Sequence, residues 1–160
     1  MSYLLYFVFI TIFVSLDQFS KLAIVRYIKP GNRIVVIRGF FNITHVHNYG
    51  AGFSILQNAR FFLITLTIVA CFALIYLLVT SDKKDVFSRI SYLLILSGAI
   101  GNFIDRIRLG YVIDFLDFKI FGYDFPVFNV ADCFITVGCF LLIIKILWES
   151  YHAKDGSDRR

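Results

Sequence analysis

Phe125-Pro126-Val127-Phe128-Asn129-Val130-Ala131-Asp132 leads straight into an apolar run that ends near Trp148. The run from Asn129 is close to the roughly 20 residues that a helix needs to cross a hydrocarbon core. Asn129 is a favoured N-cap, and an acid three residues later suits the first turn, where the helix dipole favours its ionised form. An acid at the mouth of a membrane helix is nonetheless costly to desolvate, so Asp132 has a structural partner or belongs to a functional site.

Composition supports the membrane reading. Of 160 residues, 59% are hydrophobic and only 17% charged, against about 25% charged in soluble domains, and the mean hydropathy is +0.77. The formal net charge of +5 is scattered through loops and tail and forms no basic face interleaved with aromatics, so nucleic acid is not expected as a partner. Phospholipid phosphates are the expected counter-charge. Cys71, Cys133 and Cys139 lie in apolar runs without CxxC spacing, which indicates neither a disulfide framework nor a zinc site; helix packing is the role expected of them.

Three more spans precede the fourth. The first covers about residues 3–28 and carries Asp17 and Lys21, whose i, i+4 spacing puts acid and base on one helix face. That pair serves either helix packing or the reacting groups. The second, about 61–80, contains no charge and reads as lipid-facing scaffold. The third, about 90–107, becomes polar at its end: Gly98, Gly101 and Asp105 share one face and Asn102 and Arg106 another spacing of four, a small and polar stripe turned toward protein. The fourth covers about 129–148, with a hydrophilic tail after it, and four spans put both termini on one side.

Residues 29–58 differ in character. After the turn at Pro30-Gly31-Asn32 come Ile34, Val35, Val36, Ile37, Phe40, Phe41, Ile43 and Val46, which fit short strands. Bare strands are not tolerated in lipid, so a small sheet capping the bundle at the water interface is expected. His45 and His47 fall on one strand face, too few for a metal site. Residues 109–127 are again strand-like and polar and are expected as a loop at the bilayer edge. Basic residues nearly balance across the two sides, so the positive-inside rule leaves the orientation open.

Asp114, in that loop, lies eighteen residues before Asp132 and on the same side of the membrane. Two carboxylates that meet cannot both ionise easily; one keeps a proton while the other acts as a base. That is the chemistry by which aspartic proteases activate water. No G-x-S-x-G or H-E-x-x-H is present, which disfavours serine and metallopeptidase mechanisms. A non-enzymatic four-helix carrier or proton pathway is the rival class, but it predicts mid-bilayer acids on several helices and often internal repeats; here both acids sit at one boundary and no repeat is visible.

The chain also resembles the bacterial lipoprotein signal peptidases over nearly its whole length. Asp17-Gln18-Phe19-Ser20-Lys21, Asn48-Tyr49-Gly50-Ala51-Gly52-Phe53, Ser97 to Arg106, Val112-Ile113-Asp114-Phe115 and Phe125 to Asp132 are similar, in order, to five motifs of that family. Ser97 departs from a glycine of the pattern and Gly52 from a common alanine; both are small. The resemblance implies an all-α integral membrane protein with four transmembrane helices and a small extracytoplasmic β-cradle, forming one peptidase domain over residues 1–160. It implies an aspartic endopeptidase that cuts diacylglyceryl-modified prolipoproteins just before the lipidated cysteine, with Asp114 and Asp132 as catalytic dyad. Asn48, Asn102, Arg106 and Asn129 are implied to support the dyad or hold substrate, with Asp17 and Lys21 near them. No metal or cofactor is expected. The enzyme is expected as a monomer in the cytoplasmic membrane, with cytoplasmic termini and the active site facing outward.

Overall fold

Four runs that can satisfy every backbone group internally form helices, and the β-branched segments between them pair into one sheet. A computed structural model describes residues 3–50, 56 and 59–157, with side chains up to 152. In chain order the elements are α1 (Tyr3–Tyr27), β1 (Arg33–Ile37), β2 (Phe41–Asn48), α2 (Arg60–Thr80), α3 (Val86–Arg108), β3 (Val112–Ile120), β4 (Tyr123–Asp124) and α4 (Val130–Ser157). All four helices are long and apolar enough to cross a membrane. Exposed Phe61, Phe72 and Tyr76 on α2, and Phe140, Ile143 and Leu147 on α4, are the faces such helices turn to lipid.

Three boundaries differ from the sequence expectation. α3 starts at Val86, because Asp85 caps it by accepting a hydrogen bond from the Ser88 N–H (3.1 Å). α4 continues through the expected tail to Ser157. The segment 109–127 is not a loop: β3 is a nine-residue strand in the antiparallel order β1-β2-β3-β4. Val112, Ile113, Asp114 and Phe115 at its start are buried and only Lys119 and Ile120 at its far end are exposed, so the strand is held by packing along its first half. The sheet therefore unites both segments between helices, and its interior strand carries Asp114.

The sheet is rooted on the helix ends by a cluster of Ile24, Ile28, Ile113 and Phe115, with Ile43, Leu116 and Val130 packed against it. Phe128 extends the anchorage, its N–H donating to the Leu116 carbonyl (3.2 Å) just ahead of α4. A β-bulge interrupts the β2–β3 register between Ile43 and Val46, the residue opposite Asp114. Bulges turn side chains and bend strands; this one sends His45 inward, where its Nδ1–H donates to the Ile28 carbonyl (2.7 Å). His47 then donates to His45 Nε2 (3.2 Å) and stacks on Tyr111, so the two histidines join α1 to the sheet. At the opposite end, buried Arg89 holds the α2–α3 turn through the Ser81 and Asp82 carbonyls (2.6 and 3.0 Å) and reaches the Tyr6 hydroxyl.

α3 is the central helix, and glycines set its approach to α4. A Cβ on Gly98 would overlap the Ala131 carbonyl oxygen and lie 2.7 Å from Ile135 Cγ1, while one on Gly101 would lie 2.5 Å from Asp17 Oδ2. Backbone cannot rotate away as a side-chain end can, so Gly98→Ala is expected to destabilise the fold by about 1–3 kcal/mol, read as a lowered unfolding midpoint in detergent. Ser97 fits because its buried hydroxyl donates to the Leu93 carbonyl (2.7 Å). Of the cysteines, Cys139 is exposed and does not pack as expected, whereas Cys71 and Cys133 are half-buried; α4 simply turns position 139 outward.

Candidate active site

The start of α4 gathers carboxylates from three elements. Asn129 is its N-cap: its carbonyl accepts the Cys133 N–H (3.2 Å), and its Oδ1 accepts the Asp132 N–H (3.0 Å) while Asp132 Oδ2 accepts the Asn129 N–H (3.1 Å). This reciprocal capping box ties down the acid's backbone and one carboxylate oxygen together. With Oδ1 committed to the cap, Asn129 must point its Nδ2 away from it, toward Asp114 Oδ1 (2.6 Å) and Asn102 Oδ1 (3.2 Å).

The same logic orients the other amides. Asn48 Oδ1 accepts the Gly50 N–H (2.9 Å), leaving Nδ2 to donate to Asp114 Oδ2 (2.9 Å). Asn102 Oδ1 accepts from the Lys21 ammonium (3.0 Å), leaving Nδ2 to donate to Asp132 Oδ1 (2.8 Å). Each acid is thus held at both oxygens by donors that no other arrangement of the amides would supply. Arg106 lines the same cavity and donates to the Gly50 carbonyl (3.0 Å), fixing the backbone beside Asn48.

Asp17 and Lys21 stand one layer deeper. Both are buried, at 0% and 2% exposure. Lys21 pairs with Asp17 Oδ2 and Asp105 Oδ2, each at 2.9 Å, and Asp17 Oδ1 accepts the Ala131 N–H (2.9 Å). Asp17 therefore satisfies one of the free N–H groups at the α4 N-terminus, and Lys21 reaches Asp132 only through Asn102. Lys21 touches Asn102 and Asp17 the Ala131 N–H, and neither contacts the two acids. Asp105 belongs to this layer too, accepting from the Ile113 N–H (3.3 Å) next to Asp114.

A cavity of about 500 Å³ opens over the two acids, walled by Val112, Phe125, Phe128, Cys133 and Thr136. Asp114 is 2% exposed, and burial, with the Asp132 charge next, pushes its carboxyl up to about 7 against the opposing hydrogen bonds of Asn48 and Asn129 and the charge of Lys21. Asp132 is only partly buried. Two unequal carboxylates beside an apolar cavity form a unit that can hold one proton and use the other oxygen as a base at neutral pH. Among the described residues, no group of three or more His, Cys, Asp or Glu is placed to bind a metal ion.

Comparison with known proteins bears on this arrangement. The sequence pattern of the family described as Signal peptidase (SPase) II matches residues 9–148. The chain belongs to the signal peptidase II family. A lipoprotein signal peptidase of Staphylococcus aureus is 42% identical over 92% of this chain and 89% of its own length, and that of strain Newman is 41% identical over the same shares. A solved bacterial membrane enzyme, determined in meso at 2.3 Å resolution, superposes with a TM-score of 0.86 at 39% identity, covering 91% of this chain and 88% of its own. A second, at 1.9 Å, gives 0.81 at 39% identity, covering 89% and 92%.

All eight positions expected at a signal peptidase II site converge at one end of the bundle. Ala51, Gly52 and Phe53 of the second motif lie outside the described residues. Arg60 was not foreseen. It opens α2 and crosses to the end of α3, donating to the Arg106 and Ile107 carbonyls (2.9 and 3.0 Å), where last-turn carbonyls lack helical partners. Gly110, at φ +86°, lets the chain turn over its guanidinium. The available signal was a lone charge at the edge of an otherwise uncharged span, which ordinary topology also explains.

Proposed function

We propose that Asp114 and Asp132 are the catalytic dyad of an endopeptidase that releases signal peptides from diacylglyceryl-modified prolipoproteins, cutting just before the lipidated cysteine. The observation that carries the proposal is the pair of amide-clamped acids at the helix–sheet junction, beside an apolar cavity. Membership of the signal peptidase II family supplies the substrate class. A carrier would need its acids along a route across the bilayer; here they gather at one end.

A lipid-anchored peptide enters the cavity with its scissile carbonyl near the dyad. Water between the acids loses a proton to the ionised carboxylate as its oxygen attacks the carbonyl carbon, and the protonated carboxyl hydrogen-bonds the developing oxyanion. Collapse of the tetrahedral intermediate breaks the C–N bond, and the proton goes to the leaving amine. Burial raises the Asp114 carboxyl to about 7, which makes it the site of the resting proton, and Asp132 is the more open of the two acids. Asn48, Asn129 and Asn102 hold the oxygens in place, and Arg106 offsets their charge. One copy contains both acids, consistent with a monomer. The sheet faces the outside of the cytoplasmic membrane, the side on which prolipoprotein cleavage sites emerge, and both termini face the cytoplasm.

The test is purified protein with synthetic precursor peptides, with and without the diacylglyceryl group, followed by mass spectrometry. Cleavage before the modified cysteine alone, unaffected by chelator, is the expected result; equal cleavage of both peptides overturns the substrate assignment, and chelator inhibition overturns water activation by the acids alone.

The raised Asp114 carboxyl predicts pH dependence in two readouts. Activity falls above about pH 7 as the shared proton is lost, by about tenfold per pH unit once well past it. Stability follows a separate sign. Between about pH 4 and 7 the folded chain keeps a proton at Asp114 that the unfolded chain has released, so this group makes stability fall as pH rises through that window. Asp114→Asn is expected to flatten that slope in unfolding measured at pH 5 and pH 8.

A further inference from the structure

Phe121 forms the tip of the β3–β4 hairpin, and neither its backbone nor its surroundings suit a plain surface turn. Its side chain is fully exposed, at 105% of the reference value. Its φ is +49° and that of Gly122 is +83°, the two-residue turn that matches strand twist and favours Asn, Asp or Gly at the first position. A bulky residue with positive φ is strained, and Phe121 makes no ring contact among the described residues. Nothing among the described residues repays that conformation, which points to a partner for the ring outside them.

The neighbouring tip has the same character. Lys119 donates its N–H to the Phe40 carbonyl (2.7 Å), bringing the β1–β2 and β3–β4 turns to one end of the sheet. Ile37, Phe40, Ile120 and Tyr123 are all exposed there. The five residues of β1 are exposed as well, and since alternate residues of a strand face opposite ways, both of its faces are uncovered.

Geometry leaves two positions for this apolar end. The root of the sheet is bonded to the ends of α1 and α4, at the bilayer boundary. β3 has nine residues, about 30 Å of strand, whereas a helix with its side chains is about 10 Å across. The far end either stands off into water or overhangs the bundle above lipid. Standing in water, it would present an apolar edge strand of the kind soluble sheets avoid. Overhanging, it meets the leaflet, and Arg33 and Arg38, which bracket Ile34 to Ile37 and have no ion pair among the described residues, meet phosphates.

We infer that the far end of the sheet is a bilayer anchor, with Phe121 inserted into the interfacial zone of the adjacent leaflet and Arg33 and Arg38 binding anionic phospholipid headgroups. Aromatic side chains favour that zone, and basic residues beside it attract anionic lipid. The anchor and Asp114 share strand β3, so inserting one end sets the height of the other above the hydrocarbon. That consequence rests on the peptidase function proposed above, because a lipid-held substrate presents its cleavage site at a set depth; the insertion itself does not.

Trp148 is the sole tryptophan and is largely exposed near the other end of α4, so Trp148→Phe should preserve the fold. Phe121→Trp in that background, reconstituted in phosphatidylcholine–phosphatidylglycerol vesicles without substrate, reports on the tip; Trp148→Phe alone is the blank, and matched unfolding midpoints confirm folding. Blue-shifted emission, quenched by lipids brominated near the headgroup and more by brominated phosphatidylglycerol than by brominated phosphatidylcholine, is expected. Adding Arg33→Gln and Arg38→Gln should remove the headgroup preference. Water-like emission quenched by iodide alone overturns insertion, as does quenching that begins only when lipid-modified peptide is added, which would make the tip a substrate contact. Equal quenching by both lipids overturns the headgroup assignment.

Discussion

Asp114→Asn and Asp132→Asn are each expected to lower kcat for lipopeptide cleavage by about a thousandfold or more, with the double variant little worse than either. Proton transfer by a positioned side chain contributes about 10²–10⁴-fold, and members of a catalytic unit are strongly non-additive. Asn matches Asp in size but brings an NH₂ group where both original oxygens accept hydrogen bonds: at position 114 from Asn48 and Asn129, at position 132 from Asn102 and the Asn129 N–H. One donor must therefore face another, so a modest fall in stability accompanies the catalytic loss, and unfolding should be followed alongside turnover. One variant retaining a tenth of wild-type activity while the other is inactive would sink the dyad.

Lys21→Met carries the largest expected effect on stability. It leaves Asp17 and Asp105 buried without their cation, and removing one partner of a buried ion pair costs about 3–5 kcal/mol. The intact cluster is not itself proof of stabilisation, because desolvating three charges offsets much of their attraction. Its effect is positional: Lys21 orients Asn102, and Asp17 holds the first turn of α4. Adding Asp105→Asn to Lys21→Met should restore part of the stability by removing one of the stranded charges, without restoring the hydrogen bond to Asn102, so activity stays low. Unfolding midpoints in detergent and turnover together separate the two effects; a Lys21→Met protein as stable as wild type would show that the cluster is not what holds α1 to α4.

Side-chain pairing was legible in the sequence where one segment contains its own partners. Asn129 and Asp132 are three apart and do form the capping box, and Asp17 and Lys21 are four apart and do pair. Residues 109–127 failed because a half-buried edge of acids and aromatics has the same composition in a loop as in a strand; only pairing with β2 distinguishes them. Arg60 failed for a related reason, since its partners are carbonyls 46 and 47 residues away, and carbonyls leave no mark in a sequence.

By itself the amino-acid order determined four spans, the strand character of the segment after the first, the two acids at one boundary and the family motifs, all of which follow from hydropathy, local spacing or residue identity. Tertiary structure alone decided that Asp114 rides an interior strand, that Asn48, Asn102 and Asn129 each turn their amide nitrogen to an acid, and that Asp17 caps a helix 114 residues away. The division is physical. Lipid demands internal hydrogen bonding within each span, which is written locally, whereas the orientation of a buried amide depends on where every neighbouring donor and acceptor finally comes to rest.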